Sequence, residues 1–397
     1  MTVTADRPTP SSDLASLLDP DAPDGPREIR SRKAKKVRSP LWARITTSVG
    51  VVLLVASAGG LVGGKVMISK TTDSIALENL TGDAKKTEAE GGGATLEGPI
   101  DMLLMGVDAR ERWAADELRS DTIIVLHIPA SHDQAYLISI PRDTEVTAPA
   151  FAPSKYSGGT VKATEAFFFG AQNGGGWTGG AQLLSKTLKA ETGISFDGAG
   201  IINFGGFKQV IDELGGVKMC VDQQVTSKHM KLVGGEPMWL AEARKSGKPM
   251  KDVVHEVGCK EMEGWEALDY ARQRYGLKNG DYDRQRHQQQ LIKAMAKKAS
   301  SSGTLTNPLK ISSIIKSAGE ALVLDIGDIQ LTDFVLGLSG VAANDMVLLR
   351  TNDGTFSGNG NGREVFNDTS KAMFQAVKED KLAEFVLDNP DVVATEK

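Results

Sequence analysis

The sequence predicts an α/β domain in which helices cover a central sheet, held outside a membrane by one spanning helix. Three observations predict it. From Asp101 onward, apolar runs of strand length alternate with helical patterns, the arrangement that layers helices over a sheet. The 20-residue stretch from Ile45 to Gly64 carries no charge, and about 20 residues is the length a helix needs to cross a bilayer. Basic residues cluster just before that stretch, which by the positive-inside rule keeps the N-terminus in the cytoplasm.

The 397 residues are 40% hydrophobic, enough for a sizeable core. The net charge is −5, but through Arg44 nine Lys or Arg stand against six Asp or Glu, so the remainder carries −8. A net-acidic outer portion excludes nucleic acid as the main partner. Residues 1–44 read as a disordered tail, rich in Pro, Ser, Thr and Asp to about Pro26 and basic from Arg27 to Arg44. A cleaved signal peptide is the alternative for 45–64; the late start and long apolar run favour an uncleaved anchor. Residues 65–98, polar and ending in Gly91–Gly93, read as a stalk. The folded domain is expected over 99–380, with a surface tail over 381–397.

Within the domain, strands are expected at Asp101 to Val107, Ile123 to Ile128 and Ala135 to Ile140. If the second and third form a hairpin, Arg119 and Asp121 adjoin Arg142 and Asp143, and the first strand delivers Asp108 to the same edge. Helices are expected at Val161 to Ala171 and Gly180 to Glu191. The glycine-rich Asn173 to Gly180 between them reads as a lid or a plain connector; it lacks the Gly-Lys-Ser/Thr of a P-loop. Phe167, Phe168 and Phe169 read as core. Strands at Ile201 to Phe204 and Val217 to Val221 flank a helix from Phe207 to Leu214. Cys220 and Cys259, on the outer and oxidising side, are expected to form a disulfide across an irregular insertion, Asp222 to Gly258. A helix from Met262 to Tyr270 follows, and Thr304 to Leu338 holds two further helical patterns.

The segment from Leu268 to Leu291 concentrates Arg272, Arg274, Arg284 and Arg286 with Asp281 and Asp283. Alternation through Tyr270–Arg274 reads as extended, which points Arg272 and Arg274 to one side. Asp281 or Asp283 then N-caps a helix running to about Ala299. On it Arg284 and Gln288 share the stripe that buries Leu291 and Met295. Four arginines against two local carboxylates leave a positive surplus. A bound polyanion such as pyrophosphate fits it; an internal salt-bridge network is the alternative. Carboxylates beside arginines, with no zinc spacing, suit a hard cation such as Mg²⁺ held by one or two Asp plus phosphate oxygens. Phosphoryl transfer from a lipid-linked pyrophosphate is the matching reaction class.

The motifs GVDAR, RSDT, SIPRDT, DELGGVKMCV, EGWEALDYARQR and GDYDRQRHQQQ, in this order behind a single anchor, resemble the LytR-CpsA-Psr family over about Pro99 to Ala299. The resemblance implies an αβα sandwich with a central mixed sheet over a deep apolar lipid pocket. It implies a Mg²⁺-dependent phosphotransferase that moves a glycopolymer from a polyprenyl-pyrophosphate carrier to peptidoglycan, usually to the 6-hydroxyl of N-acetylmuramic acid. Carried over by motif, Asp108 and Asp121 hold Mg²⁺, and Arg119, Arg142, Arg272, Arg274 and Arg284, with Gln288, bind the pyrophosphate. Arg119, Asp121, Arg142 and Asp143 form the catalytic set, Asp143 as a structural or basic partner. Lys162 is assigned to the pyrophosphate as well, with a plain exposed helix lysine as the alternative, since it sits in a segment, Val161-Lys162-Ala163-Thr164, that departs from the family's pattern. The polymer is wall teichoic acid, capsule or arabinogalactan; the Ala/Gly-rich composition and paired cysteines are similar to actinobacterial members and favour the last. Two rivals use the same residues: a polyprenyl-pyrophosphate pyrophosphatase, and a non-catalytic, membrane-tethered binder of anionic lipid or wall polymer.

Overall fold

The computed structural model describes residues 76–87, 98–108, 118–305, 307–327, 329, 341 and 346–395. The uncharged run 45–64 and the tail before it lie outside them. Among the described residues no helix is long and apolar enough to cross a membrane. The strands are β1 (Ala76–Leu77), β2 (Ile100–Val107), β3 (Ser120–Ile128), β4 (Ala135–Ser139), β5 (Glu145–Ala148), β6 (Gly159–Lys162), β7 (Gly198–Asn203), β8 (Val217–Val221), β9 (Val225–Val233), β10 (Glu236–Trp239), β11 (Met250–His255), β12 (Gly258–Met262), β13 (Leu322–Asp325) and β14 (Met346–Arg350). The helices are α1 (Ala163–Ala171), α2 (Gly176–Thr192), α3 (Phe204–Glu213), α4 (Leu240–Ser246), α5 (Gly264–Arg272), α6 (Asp281–Ser301), α7 (Pro308–Ala318), α8 (Asp368–Lys378) and α9 (Leu382–Asp388).

A seven-stranded mixed sheet, in the order β1-β13-β7-β2-β3-β4-β14, forms the centre. Alternate residues of its strands serve two faces, as the two-residue repeat dictates. Leu103, Met105, Ile123, Val125 and Ile138 pack in one cluster with Phe167 of α1, Leu183 of α2 and Phe374 of α8. On the opposite face Leu104, Ile124 and Leu137 meet Ile292 of α6, and Met102 meets Ile311 of α7. The sandwich of helices on both faces of a mixed sheet is therefore present. The β3–β4 hairpin also forms, with Ile124 opposite Ser139 and Val125 opposite Ile138.

Several local expectations differ. Extended backbone persists through Lys162, so α1 begins at Ala163, two residues late. Asn173 to Gly180 is neither lid nor long connector. Most of it is the first turn of α2, and its glycines let α1 and α2 touch, since a Cβ at Gly170 would lie 2.2 Å from the Gly179 carbonyl oxygen. The Asp222 to Gly258 insertion is not irregular: β9, β10 and β11 form their own antiparallel sheet with α4 attached. At its base β8 and β12 pair with Cys220 opposite Cys259, and the two cysteines are bonded. The second helical pattern in Thr304 to Leu338 is in part the strand β13; its remainder lies outside the described residues.

Both expected edges of the domain also move. Residues 76–87, taken as stalk, belong to the fold: β1 pairs with β13, and Leu80 and Ala84 are fully buried. Asp325 holds this segment by accepting from the Leu80 N–H (2.9 Å), the Thr81 N–H (3.0 Å) and the Thr81 hydroxyl (2.8 Å). Past Lys381, Leu382 and Val392 enter the main core, and the Ala394 N–H donates to the Leu348 carbonyl at 2.8 Å, so this stretch is no surface tail.

Because Gly170 faces backbone across the α1–α2 contact, Gly170→Ala should cost about 2 kcal/mol, typical of overpacking, and lower the Tm. An unchanged thermal melt would show that the two helices have room to separate.

Candidate functional site

Strand register builds one side of the site. Val107, at the end of β2, pairs with Ser120 at the start of β3, and β4 runs back beside β3 towards Arg142. Asp108, Arg119, Asp121, Arg142 and Asp143 therefore share one rim of the sheet, as the hairpin argument requires. The C-terminal end of α5 and the first turn of α6 bring the second side to it.

Contacts knit the two sides together. Asp121 accepts from Arg142 Nη1 at 2.6 Å, and its backbone carbonyl accepts from Arg284 Nη2 at 3.0 Å. Arg284 also pairs with Asp281 at 2.8 Å, while Arg142 Nε lies 3.6 Å from Asp143 and 3.9 Å from Asp281. Lys162 donates to Asp143 at 2.8 Å. Arg272 donates to Asp108 at 2.9 Å and stacks on Phe204, 3.9 Å from the ring centre, and near Trp239 at 5.3 Å. Arg119, exposed, lies 4.5 Å over Phe168.

Arg272 and Arg274 do not sit as expected. Tyr270 to Arg272 complete α5, and extended backbone begins only at Gln273, so the two arginines diverge. Arg274 donates to the Tyr275 hydroxyl at 2.6 Å and stacks on that ring. Its charge still reaches Arg284. Neither Asp281 nor Asp283 caps α6: Gly280 occupies the N-cap, and both carboxylates lie in the first turn, where the helix dipole favours them. The internal-network alternative holds for Arg286, which pairs with Asp222 at 2.5 Å and Asp283 at 3.0 Å on another flank of α6. A cavity of about 280 Å³ on that flank is lined by Asp222, Asp283, Arg286 and Gln285, too polar to seat an isoprenoid chain.

The electrostatics of the rim are unbalanced. Among the described residues six cations, Arg119, Arg142, Lys162, Arg272, Arg274 and Arg284, share it with Asp108, Asp121, Asp143 and Asp281, and Glu364 lies close enough to act on the last two. Burial pushes the Arg284 guanidinium below its usual value; Asp281 opposes the shift and Arg142 adds to it. Burial disfavours charge on Asp143 too, but the Lys162 hydrogen bond and the Arg142 charge hold its carboxyl below the usual range. Asp143 is thus ionised across neutral pH. Buried polar atoms without a hydrogen-bond partner here include Arg142 Nε, Arg284 Nε and the acceptor Asp281 Oδ1; Gln288 Oε1, one turn along α6 from Arg284, is another. Such atoms cost stability unless a ligand engages them.

For a metal, Asp108 and Asp121 each give one oxygen to an arginine. Among the described residues no group of three or more His, Cys, Asp or Glu is placed to hold an ion. Two carboxylates at neighbouring strand ends are the ligand type that Mg²⁺ takes when water and phosphate oxygens complete its shell.

The residues missed from sequence are the supports. Phe168 was read as core with Phe167, yet only Phe167 is fully buried while Phe168 carries Arg119. Phe204 and Trp239 under Arg272 left no signal in a linear pattern, because they come from α3 and from the insertion.

Comparison with known proteins gives the family and the fold. The model of the LytR_cpsA_psr family matches residues 65–382. The probable cell wall biosynthesis protein LcpB of Corynebacterium glutamicum is 31% identical over 57% of this chain and 48% of its own length. LcpA of the same organism is 27% identical over 76% of this chain and 58% of its own. The chain thus spans about half the length of these two curated relatives. The polyisoprenyl-teichoic acid–peptidoglycan teichoic acid transferase TagU of Halalkalibacterium halodurans is 28% identical over 65% of this chain and 71% of its own. The crystal structure of protein gbs0355 from Streptococcus agalactiae shares the fold, with a TM-score of 0.56 at 20% identity over 75% of this chain and 91% of that one.

Arg284 is buried and pairs with Asp281 at 2.8 Å, so Arg284→Met leaves that carboxylate uncompensated and should lower the Tm. It should also abolish the upward Tm shift given by inorganic pyrophosphate. A pyrophosphate shift as large as that of the unmutated chain would remove Arg284 from the anion site.

Proposed function

The chain belongs to the LytR_cpsA_psr family, and from that premise we propose that it is a phosphotransferase moving a glycopolymer from a polyprenyl-pyrophosphate carrier to peptidoglycan. The observation that carries the reading is the pair of desolvated guanidiniums, Arg142 and Arg284, packed over strand-end carboxylates with their Nε donors unengaged. A relative named as a teichoic acid–peptidoglycan transferase supports the reaction class. The domain stands outside the membrane, anchored through residues 45–64, and the carrier reaches it from the bilayer. Among wall polymers, arabinogalactan is the proposed cargo.

The roles follow from the contacts. Arg142 and Arg284 grip the pyrophosphate with forks that match phosphate oxygens, and Gln288 donates to it through its amide N–H. Arg272, fixed by Asp108 and Phe204, together with Arg119 and Arg274, neutralises charge that builds on the leaving phosphate. Asp143 stays ionised and is better suited to positioning Lys162 and Arg142 than to carrying a proton. Asp108 and Asp121 would hold Mg²⁺, which when bound neutralises the phosphate oxygens during transfer.

The full-length chain with Mg²⁺, a polyprenyl-pyrophosphoryl saccharide and peptidoglycan should yield a covalent phosphodiester, and Asp121→Ala should abolish it without unfolding the protein. Phosphate release without linkage would make the chain a pyrophosphatase; tight binding without any product would make it a tether. Full activity of Asp121→Ala would remove the metal assignment.

A further inference from the structure

Two exposed aromatic side chains stand at the arginine end of this site, and the phosphotransferase reading gives them no task. Trp239 is 39% exposed and Tyr275 is 55% exposed, among the few large apolar side chains left in solvent. Each touches a pyrophosphate arginine: the Trp239 ring centre is 5.3 Å from Arg272 Cζ, and that of Tyr275 is 4.6 Å from Arg274 Cζ. Trp239 is held firmly. It closes β10, where it pairs with Met230 of β9, and it is also the N-cap residue of α4. The insertion that bears it is clamped at its base by the Cys220–Cys259 bond. Tyr275 is fixed by the hydrogen bond that its hydroxyl accepts from Arg274.

Rigid rings open to solvent beside a phosphate-binding cation have a specific use. A sugar joined to a pyrophosphate places its ring one or two bonds from the phosphate oxygens, and the C–H face of a pyranose is apolar while its rim is polar. An aromatic face takes the first, and the neighbouring guanidinium donates to the second. Phe168 and Phe204, by contrast, are partly covered and serve mainly to seat Arg119 and Arg272.

We infer that Trp239 is a pyranose-stacking face next to the pyrophosphate, with Tyr275 a second, separate face beside Arg274, so that the insertion Asp222–Gly258 is a saccharide-recognition element of the site. The inference rests on the pyrophosphate reading above. The pyranose comes either from the carrier-linked polymer or from the glycan acceptor.

The test measures binding to the full-length chain of three probes: a polyprenyl pyrophosphate without sugar, the same carrier bearing N-acetylglucosamine, and a soluble peptidoglycan glycan strand. Trp239→Ala should weaken one of the two sugar-bearing probes about tenfold more than it weakens the sugar-free carrier, a difference of about 1.4 kcal/mol. Trp239→Phe should restore most of the loss, and Tyr275→Ala should act on the same probe. Whichever sugar probe responds identifies the source of the pyranose. Equal weakening of the sugar-free carrier would reduce Trp239 to a prop for Arg272 and overturn the inference, as would no effect on either sugar probe. Failure of the unmutated chain to bind even the sugar-free carrier would instead sink the pyrophosphate reading itself.

Discussion

Arginine side chains crowded together out of water constrain everything else in this molecule. Arg142 and Arg284 repel one another across the rim, and burial disfavours both charges; Asp121, Asp281 and Asp143 outweigh this for Arg142, whose guanidinium is held above its usual value, while Arg284 stays below its own. A fold keeps such a cluster only if the surrounding structure over-determines it. The strand ends of the seven-stranded sheet supply Asp108, Asp121 and Asp143 together with Arg119 and Arg142, and α5 and α6 add Arg272, Arg284 and Asp281.

Those two helices are positioned by buried polar networks set back from the rim. At the end of α5, Asp269 accepts from the Ser227 hydroxyl and the Gln273 amide and pairs with His255 at 2.8 Å, all of them buried. This fixes the turn between Arg272 and Arg274 against the insertion. On α6, Asp222 engages Arg286, His287 and the Tyr270 hydroxyl, and the His287 ring stacks on Tyr270 at 4.4 Å. The first turn of α6 is tied to the C-terminal region where Tyr282 bonds Glu364 and accepts from Asn352 at 3.1 Å. Buried networks of this kind, in which only His255 Nδ1 and His287 Nδ1 lack a hydrogen-bond partner among the described residues, rigidify what they hold, which is what a preorganised anion site requires.

Much of this was legible in the sequence. The three apolar runs with charged ends gave the rim, because a hairpin leaves register little freedom, and the placement of Asp108, Asp121 and Arg142 followed. The cysteine pair was legible from its count and setting. Tyr270 to Arg274 misled, since five alternating residues are too few to separate a strand from the last turn of a helix whose Tyr270 and Ala271 are buried. Residues 76–87 looked like stalk because they hold few apolar side chains; what binds them is the distant carboxylate of Asp325, which no local pattern announces. Phe204 and Trp239 escaped for the same reason, as partners of Arg272 contributed by other elements.

The central claim is that the sheet-rim carboxylates and the helix-borne arginines close around one pyrophosphate. A crystal structure of the chain with a short isoprenoid pyrophosphate and Mg²⁺ tests it most directly. The account predicts phosphate oxygens within hydrogen-bond distance of Arg142, Arg284 and Arg272 together, with a cation between them and Asp121. A pyrophosphate seated elsewhere, or held by one side of the rim while Arg284 keeps its present partners, would contradict it.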